Sequence, residues 1–156
     1  MISKFDGRYS FLSNFYPCLI EYQGIYYKSV EAYYVAMKIK DDQIIDGKFM
    51  PWIDIREYIS KISNPGEVKR LGRKLQVRRD WETIRLSVMN YGVKQKFKNE
   101  ALQEMLLSTR DEELIEGNSW HDNFFGSCQC SKCGNLGDNN LGKILMTIRD
   151  GYKSKK

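Results

Sequence analysis

Apolar and polar positions alternate through Cys18-Leu19-Ile20-Glu21-Tyr22-Gln23-Gly24-Ile25-Tyr26-Tyr27-Lys28, with β-branched and aromatic residues on both sides of Gln23-Gly24, which predicts a short β-hairpin. Ser29 then caps a helix running to about Ile39. The acidic, glycine-containing stretch from Lys40 to Phe49 reads as a loop. Pro51 opens a second helix, and Asn64-Pro65 starts a third that reaches about Leu75. Asp80 is a good cap for a long helix from Trp81 to about Lys98, in which Ile84, Val88, Tyr91 and Lys94 trace one stripe and Met89 widens it. Asn99 restarts a short helix through Leu107, and Glu113-Leu114-Ile115-Glu116 reads as a strand. A loop of some twenty residues follows, long enough for so small a chain to suggest function. Asp138 or Asn139 caps the last helix, whose Leu141, Leu145 and Ile148 face inward. The pattern predicts an α+β fold, a mostly helical single domain with a small antiparallel β element.

Length and composition narrow the class. A chain of 156 residues with 42% hydrophobic residues, 29% charged residues and 3 prolines is that of one ordinary globular domain, here residues 1–152, followed by a basic tail over 153–156. No segment approaches the roughly 18 apolar residues of a membrane span. Met1 to Arg8 has no long apolar region of the kind a signal peptide needs. A cytoplasmic monomer with no membrane partner is expected, in a reducing compartment where thiols stay free. Cys18 fits a small buried residue. The net charge of +5 is unevenly spread: Lys69 to Arg79 holds six basic residues and the tail three more. These favour an anionic ligand, nucleotide or nucleic acid, though a basic helix run is also commonly a solvated face.

Candidate chemistry centres on the first helix. At about 100° per residue, Glu31 and Lys38 lie about 20° apart around the axis and two turns apart along it. Tyr34 and Val35 share that side, so the face is partly buried, and Lys or Glu in such a place is usually paired or functional. The preceding turn, Phe11-Leu12-Ser13-Asn14-Phe15-Tyr16-Pro17, offers hydrogen bonds from Ser13 and Asn14 and a stacking wall from Phe15.

The long loop carries a second constellation. Glu116 and Trp120-His121-Asp122-Asn123-Phe124-Phe125-Gly126 set an acidic residue beside the only histidine, among aromatics able to hold a ring. Asp122 also suits a turn cap. Gly137-Asp138-Asn139-Asn140-Leu141-Gly142 places glycines ahead of a helix N-terminus, a phosphate-binding arrangement, with Asn140 as a polar contact. Cys128, Cys130 and Cys133 with His121 form a set that fills a tetrahedral zinc shell, and Cys130-Ser131-Lys132-Cys133 has a knuckle's gap. There is no second such pair, and a metal-free, redox-inert thiol loop is the expectation.

Phe11-Leu12-Ser13-Asn14-Phe15-Tyr16-Pro17, Ser29-x-Glu31-Ala32-Tyr33-x-x-Ala36-x-Lys38, Gly72-Arg73, Trp81 and Lys96-Phe97 occur in that order. Leu106-Leu107-Ser108-Thr109, Leu114-Ile115-Glu116, His121-Asp122-Asn123-Phe124-Phe125-Gly126 and Asn140-Leu141-Gly142-Lys143-Ile144-Leu145-Met146-x-x-Arg149 follow. Together they resemble the NADAR family of YbiA-like proteins over almost the whole chain. The resemblance implies hydrolysis of N-glycosidic bonds of ribosides, either removing ADP-ribose from guanine in nucleic acid or cleaving phosphorylated riboflavin-pathway intermediates. Carried over residue by residue, it implies an active site of Glu31, Lys38, Trp81 and Asp122. Ser13, Asn14, Phe15, Tyr34, Trp120, Phe125 and Asn140 would contact substrate. Phe125 stands where many members have tryptophan, which bears on base preference. The chemistry calls for no metal and no cofactor. A non-catalytic module binding ADP-ribose or nucleic acid is the reading that intact Glu31, Lys38 and Asp122 speak against.

Overall fold

The computed structural model describes residues 1–155. The chain gathers into two compact units, Asn14–Lys96 and the rest, formed by Met1–Ser13 with the segment from Phe97 onward.

In the Asn14–Lys96 unit, β1 (Ile20–Tyr22) and β2 (Ile25–Tyr27) pair antiparallel with Ile20 opposite Tyr27. The hairpin turns through Gln23 and Gly24, both at positive φ (51° and 82°), the backbone that a two-residue hairpin turn requires. Helix α1 (Val30–Met37) starts where Ser29 accepts the Ala32 amide at 3.0 Å. Residues 40–49, expected as loop, instead contain a second hairpin. There β3 (Gln43–Ile45) and β4 (Lys48–Met50) pair around Asp46-Gly47, again both at positive φ. The Asp-Gly pair is a hairpin signal in its own right, masked by the charge around it. Ile44 and Phe49, opposite each other in register, are 72% and 63% exposed, so no hydrophobic alternation toward a core announced the strands.

Helix α2 (Trp52–Ser60) follows Pro51. Helix α3 (Pro65–Gly72) is shorter than expected and begins where Asn64 accepts the Gly66 amide. Helix α4 (Trp81–Lys96) ends two residues before the expected Lys98. Its buried stripe is Trp81, Met89, Gly92, Val93 and Lys96, whereas Lys94 is exposed. The expected stripe is therefore turned about the axis, because the helix buries a glycine and a whole lysine side chain. Helices α2, α3 and α4 all pack on α1.

At the centre of this packing Tyr33 lies within 5.7–6.2 Å of the rings of Tyr22, Tyr27 and Tyr91, centroid to centroid. Gly92 lets α4 approach that cluster.

The other unit opens with a 3₁₀ turn over Gly7–Leu12 that buries Phe11 and Leu12. Helix α5 (Glu100–Leu107) begins where Asn99 accepts the Leu102 amide, and α6 (Asn140–Lys153) buries Leu141, Leu145 and Ile148 as expected. The expected strand at 113–116 reduces to one bridge between Ile2 and Leu114. The pairing moves on to β5 (Gly117–Asn118), which runs parallel to β6 (Ser127–Cys128), so the β content is not solely antiparallel. Of the expected basic tail, Lys153 is the last residue of α6 and pairs with Asp111, Ser154 and Lys155 form a turn, and Lys156 lies outside the described residues. No helix among the described residues is long and apolar enough to cross a membrane.

A Cβ added at Gly92 would stand 2.8 Å from two ring carbons of Tyr33, which is fully buried. Gly92→Ala should therefore lower stability by about 1–3 kcal/mol in a thermal or denaturant melt, although glycine to alanine in an open helix normally stabilises. An unchanged or raised melting temperature would show that the tyrosine cluster yields freely.

Candidate active site

The predicted residues divide between the two units. Asn14, Phe15, Glu31, Tyr34, Lys38 and Trp81 lie in the Asn14–Lys96 unit; Ser13, Trp120, Asp122, Phe125 and Asn140 lie in the other.

In the first group the seven-residue register holds. Lys38 is the residue after α1 and keeps right-handed helical backbone (φ −65°, ψ −20°), so it stays on the Glu31 side of the axis. Its amine sits 5.3 Å from the Tyr34 ring centroid and 5.9 Å from that of Trp81, while the two rings meet edge to face at 4.9 Å. Aromatic faces attract a cation but solvate it less than water does. Burial is accordingly the largest influence on this amine and lowers its pKa, opposed by the nearby Glu31 carboxylate and assisted by the positive charges of Lys69 and Arg85. Lys69 in turn lies 5.8 Å from the Phe15 ring centroid. The Glu31 amide donates to the Asn14 carbonyl at 3.1 Å, which fixes the Asn14 turn against the start of α1, and the Asn14 side-chain amide reaches Met89 Sδ at 3.5 Å. The site thus gathers a desolvated amine, a carboxylate and two aromatic walls.

Residues absent from the sequence-based site hold this arrangement. Buried Arg56 on α2 donates from Nε to the carbonyls of Ala36 and Ile39, closing the end of α1. The Arg78 amide donates to the Lys38 carbonyl at 2.9 Å, and its guanidinium grips Asp80. Arg78 therefore leaves the set of phosphate-facing residues, and the Asp80 carboxylate that was expected to cap α4 is committed to Arg78. Nothing in the sequence pattern distinguishes these two arginines from their solvated neighbours.

Lys96 is a second unanticipated group. It is 2% exposed, and burial pushes its amine down to about 8, with the Cys18 thiol acting the other way. Its Nζ lies 5.6 Å from the Tyr16 ring centroid. Cys18 itself is half-buried rather than fully so, and burial raises its pKa.

In the other unit the loop residues serve the backbone. Asp122 Oδ1 accepts the amides of Phe124 and Phe125 at 3.1 and 3.0 Å, the turn-capping arrangement. Asn118 brackets the same turn, accepting from the Trp120 and Asp122 amides and donating to the Asp122 carbonyl. Trp120 is 59% exposed and Phe125 is buried. Ser13 closes the 3₁₀ turn through its amide. The phosphate-binding expectation at the start of α6 does not hold. The amides of Asn139, Asn140 and Leu141 donate to the carbonyls of Gly126, Phe124 and Phe125, and the Asn140 side chain also donates to Phe124. A Cβ at Gly137 or Gly142 would stand within 2.4 Å of a neighbouring carbonyl oxygen, so these glycines permit close backbone packing rather than a ligand cradle.

The NADAR domain matches residues 3–152. This chain belongs to the NADAR family. It is 38% identical over 149 residues to an N-glycosidase of Nostoc punctiforme, covering 94% of this chain and 87% of that protein. A riboflavin biosynthesis protein of Vibrio vulnificus is 36% identical over 148 residues, 93% of this chain, which spans only 36% of that longer protein. The NMR structure of the Escherichia coli protein YbiA superposes with a TM-score of 0.77 at 28% identity, covering 99% of this chain and 86% of YbiA. These matches bear out the mostly helical α+β expectation.

The buried Lys96 makes stability pH-dependent with a definite sign. Its pKa falls from the unfolded value of 10.5 to about 8, so between those values the unfolded chain binds the extra proton and stability rises with pH. Measured against Lys96→Met, which cancels the other titrations, wild type should gain up to about 1.4 kcal/mol per pH unit from pH ~8 upward. A pH-independent difference between the two would show that the amine stays charged where it lies.

Proposed function

We propose that the chain is an N-glycosidase acting on ribosides, with Lys38 as nucleophile. The observation that carries this reading is the Lys38 amine held against the Tyr34 and Trp81 rings, with its pKa lowered chiefly by burial and Glu31 on the same side of α1. Similarity to the Nostoc N-glycosidase supports the same reaction class.

Cleaving a ribose–nitrogen bond builds positive charge at C1 and negative charge on the departing base. In the proposed reaction the neutral amine forms a bond to C1 as the base leaves with the bonding pair and takes up a proton. Opening of the sugar then gives an iminium at Lys38 Nζ, the ring oxygen taking the proton the nitrogen gives up. Water adds at C1, and expulsion of the amine regenerates lysine and releases the ribose product. Glu31 carries protons between these steps, and Trp81 and Tyr34 bound the flat ring of the base or sugar. The mechanism draws on the Asn14–Lys96 unit; Asp122 is left with the turn it caps.

ADP-ribose attached to guanine in nucleic acid is the substrate favoured here. Arg70, Arg73, Lys74 and Arg79 are all exposed, leaving a basic surface for phosphates around the end of α3 and the segment beyond it. The second reading, a small phosphorylated riboflavin-pathway riboside, is favoured by the similarity to the Vibrio riboflavin biosynthesis protein. Incubation with ADP-ribosylated DNA and with the small riboside, measuring released base or ADP-ribose, decides between them.

Lys38→Ala should reduce turnover by roughly 10³-fold or more without changing the melting temperature greatly, because the side chain is only half-buried. Borohydride added during turnover should trap a covalent adduct on wild type alone. A fully active Lys38→Ala enzyme removes the covalent mechanism.

Arg70→Glu with Arg73→Glu should weaken activity on ADP-ribosylated DNA most at low salt, with a shallower salt dependence than wild type, and spare the small riboside. Equal loss on both would place these arginines in the fold or the pocket, and no loss would make the run a solvated face.

A further inference from the structure

The one histidine of the chain and three of its four cysteines meet in the loop around β6. His121 Nδ1 lies 3.4 Å from Cys133 Sγ and 3.6 Å from the sulfurs of both Cys128 and Cys130. All four donor atoms fall within 4.8 Å of one another. A tetrahedral zinc ion with zinc–sulfur bonds of about 2.3 Å and a zinc–nitrogen bond of about 2.05 Å separates its nitrogen and sulfur ligands by about 3.6 Å. The three nitrogen–sulfur separations lie within 0.2 Å of that value. Thiol-to-imidazole hydrogen bonding does not account for them, because one ring nitrogen has one lone pair or one proton and serves one sulfur, not three.

The backbone around the cluster is built to the same end. His121 holds a left-handed conformation at φ 69°, uncommon for a residue other than glycine. Within the knuckle, the Cys133 amide points at Cys130 Sγ at 3.4 Å, so Cys130 receives an N–H as thiolate ligands commonly do. Gly134 and Asn135 then turn the chain through positive φ (65° and 58°), returning their amides to the carbonyls of Cys130 and Cys128. On the other side, the Asn123 side chain accepts the Cys128 amide at 2.8 Å, and Cys128 is anchored in β6. Two separate stretches of loop thus present four ligands to one point.

We infer that His121, Cys128, Cys130 and Cys133 form a zinc site, with the imidazole bound through Nδ1. Four protein ligands close the shell, so the ion is structural rather than catalytic. Binding displaces the thiol protons to solvent and cross-links residues 121–133, the loop that also carries Asp122, Phe124 and Phe125. The proposed site runs against the expectation of a metal-free thiol loop. It is independent of the proposed chemistry at Lys38, whose groups all belong to the other unit.

The test uses the full chain purified under reducing conditions. Elemental analysis should find about one zinc per chain, and the metal-stripped chain titrated with cobalt(II) should develop the visible bands of a tetrahedral thiolate complex that saturate at one equivalent. The zinc-loaded chain should melt at a higher temperature than the stripped chain. Cys130→Ser with Cys133→Ser should lose both the zinc and the cobalt spectrum, while Cys18→Ser keeps them. Should the double variant fail to fold, the wild-type cobalt titration decides alone. A reduced wild-type chain that retains no zinc and gives no saturable cobalt spectrum overturns the site, and so does a double variant that binds metal as wild type does.

Discussion

The buried guanidinium of Arg56 sets the end of α1, and the candidate active site depends on where that helix stops. A helix leaves its last carbonyls without intrahelical partners. Here Arg56 Nε donates to the Ala36 carbonyl, which also accepts the Ile39 amide, and to the Ile39 carbonyl just past the helix, at 3.1 and 3.0 Å, with the cation at the negative end of the helix dipole. Burial lowers the Arg56 pKa, as it does for any cation taken from water, yet arginine stays charged under such a shift. The Arg56 guanidinium also lies 4.6 Å from the Trp52 ring centroid, which ties the first turn of α2 to the same point. Lys38 stands between the two bonded carbonyls, and its own carbonyl accepts the Arg78 amide. Its backbone is thus held on both sides, and the amine is left facing Tyr34 and Trp81 instead of trailing into water.

The features legible in the sequence were those decided within a few residues. Ser29, Asn64 and Asn99 cap the helices they were expected to cap, because a short polar side chain satisfies amides two or three residues ahead whatever packs around it. The Gln23-Gly24 hairpin was legible for the same reason, and the Asp46-Gly47 hairpin carried an equivalent turn signal without the buried alternation that normally accompanies it. What escaped was decided by distant packing. The buried face of α4 follows the close approach of Gly92 to Tyr33 and the burial of Lys96, neither of which a hydrophobic count anticipates.

The site divides along the same line. The shared face of Glu31 and Lys38 follows from helical periodicity alone and is present. The roles of Arg56 and Arg78 were invisible, since both depend on contacts 17 to 40 residues away in the chain. In the other unit, the loop had the residue types of a metal centre but lacked a second Cys-x-x-Cys pair, and the missing constraint came from the backbone. His121 at positive φ, braced from Asn118 through Asp122, brings the imidazole to the thiols across a gap that spacing rules do not describe. The glycines ahead of α6 illustrate the reverse error: a pattern that suits phosphate is here consumed by the carbonyls of residues 124–126.

The origin of the low Lys38 pKa bears on which substrates the amine can serve. Had repulsion from Lys69 and Arg85 been the main cause, a phosphate settling on those cations would cancel it and restore the ammonium, defeating attack at C1. Burial is the larger influence, with Glu31 opposing it and the two cations ranking behind. A planar base or ribose laid against Tyr34 and Trp81 would exclude more water from the amine, deepening the dominant effect while the substrate's phosphates weaken the minor ones. A pKa lowered chiefly by burial is therefore compatible with a negatively charged substrate. On the proposed reading, exposed cations such as Arg70 and Arg73 would strengthen phosphate binding at little cost to the Lys38 amine, whereas a phosphate drawn onto Lys69 would work partly against it.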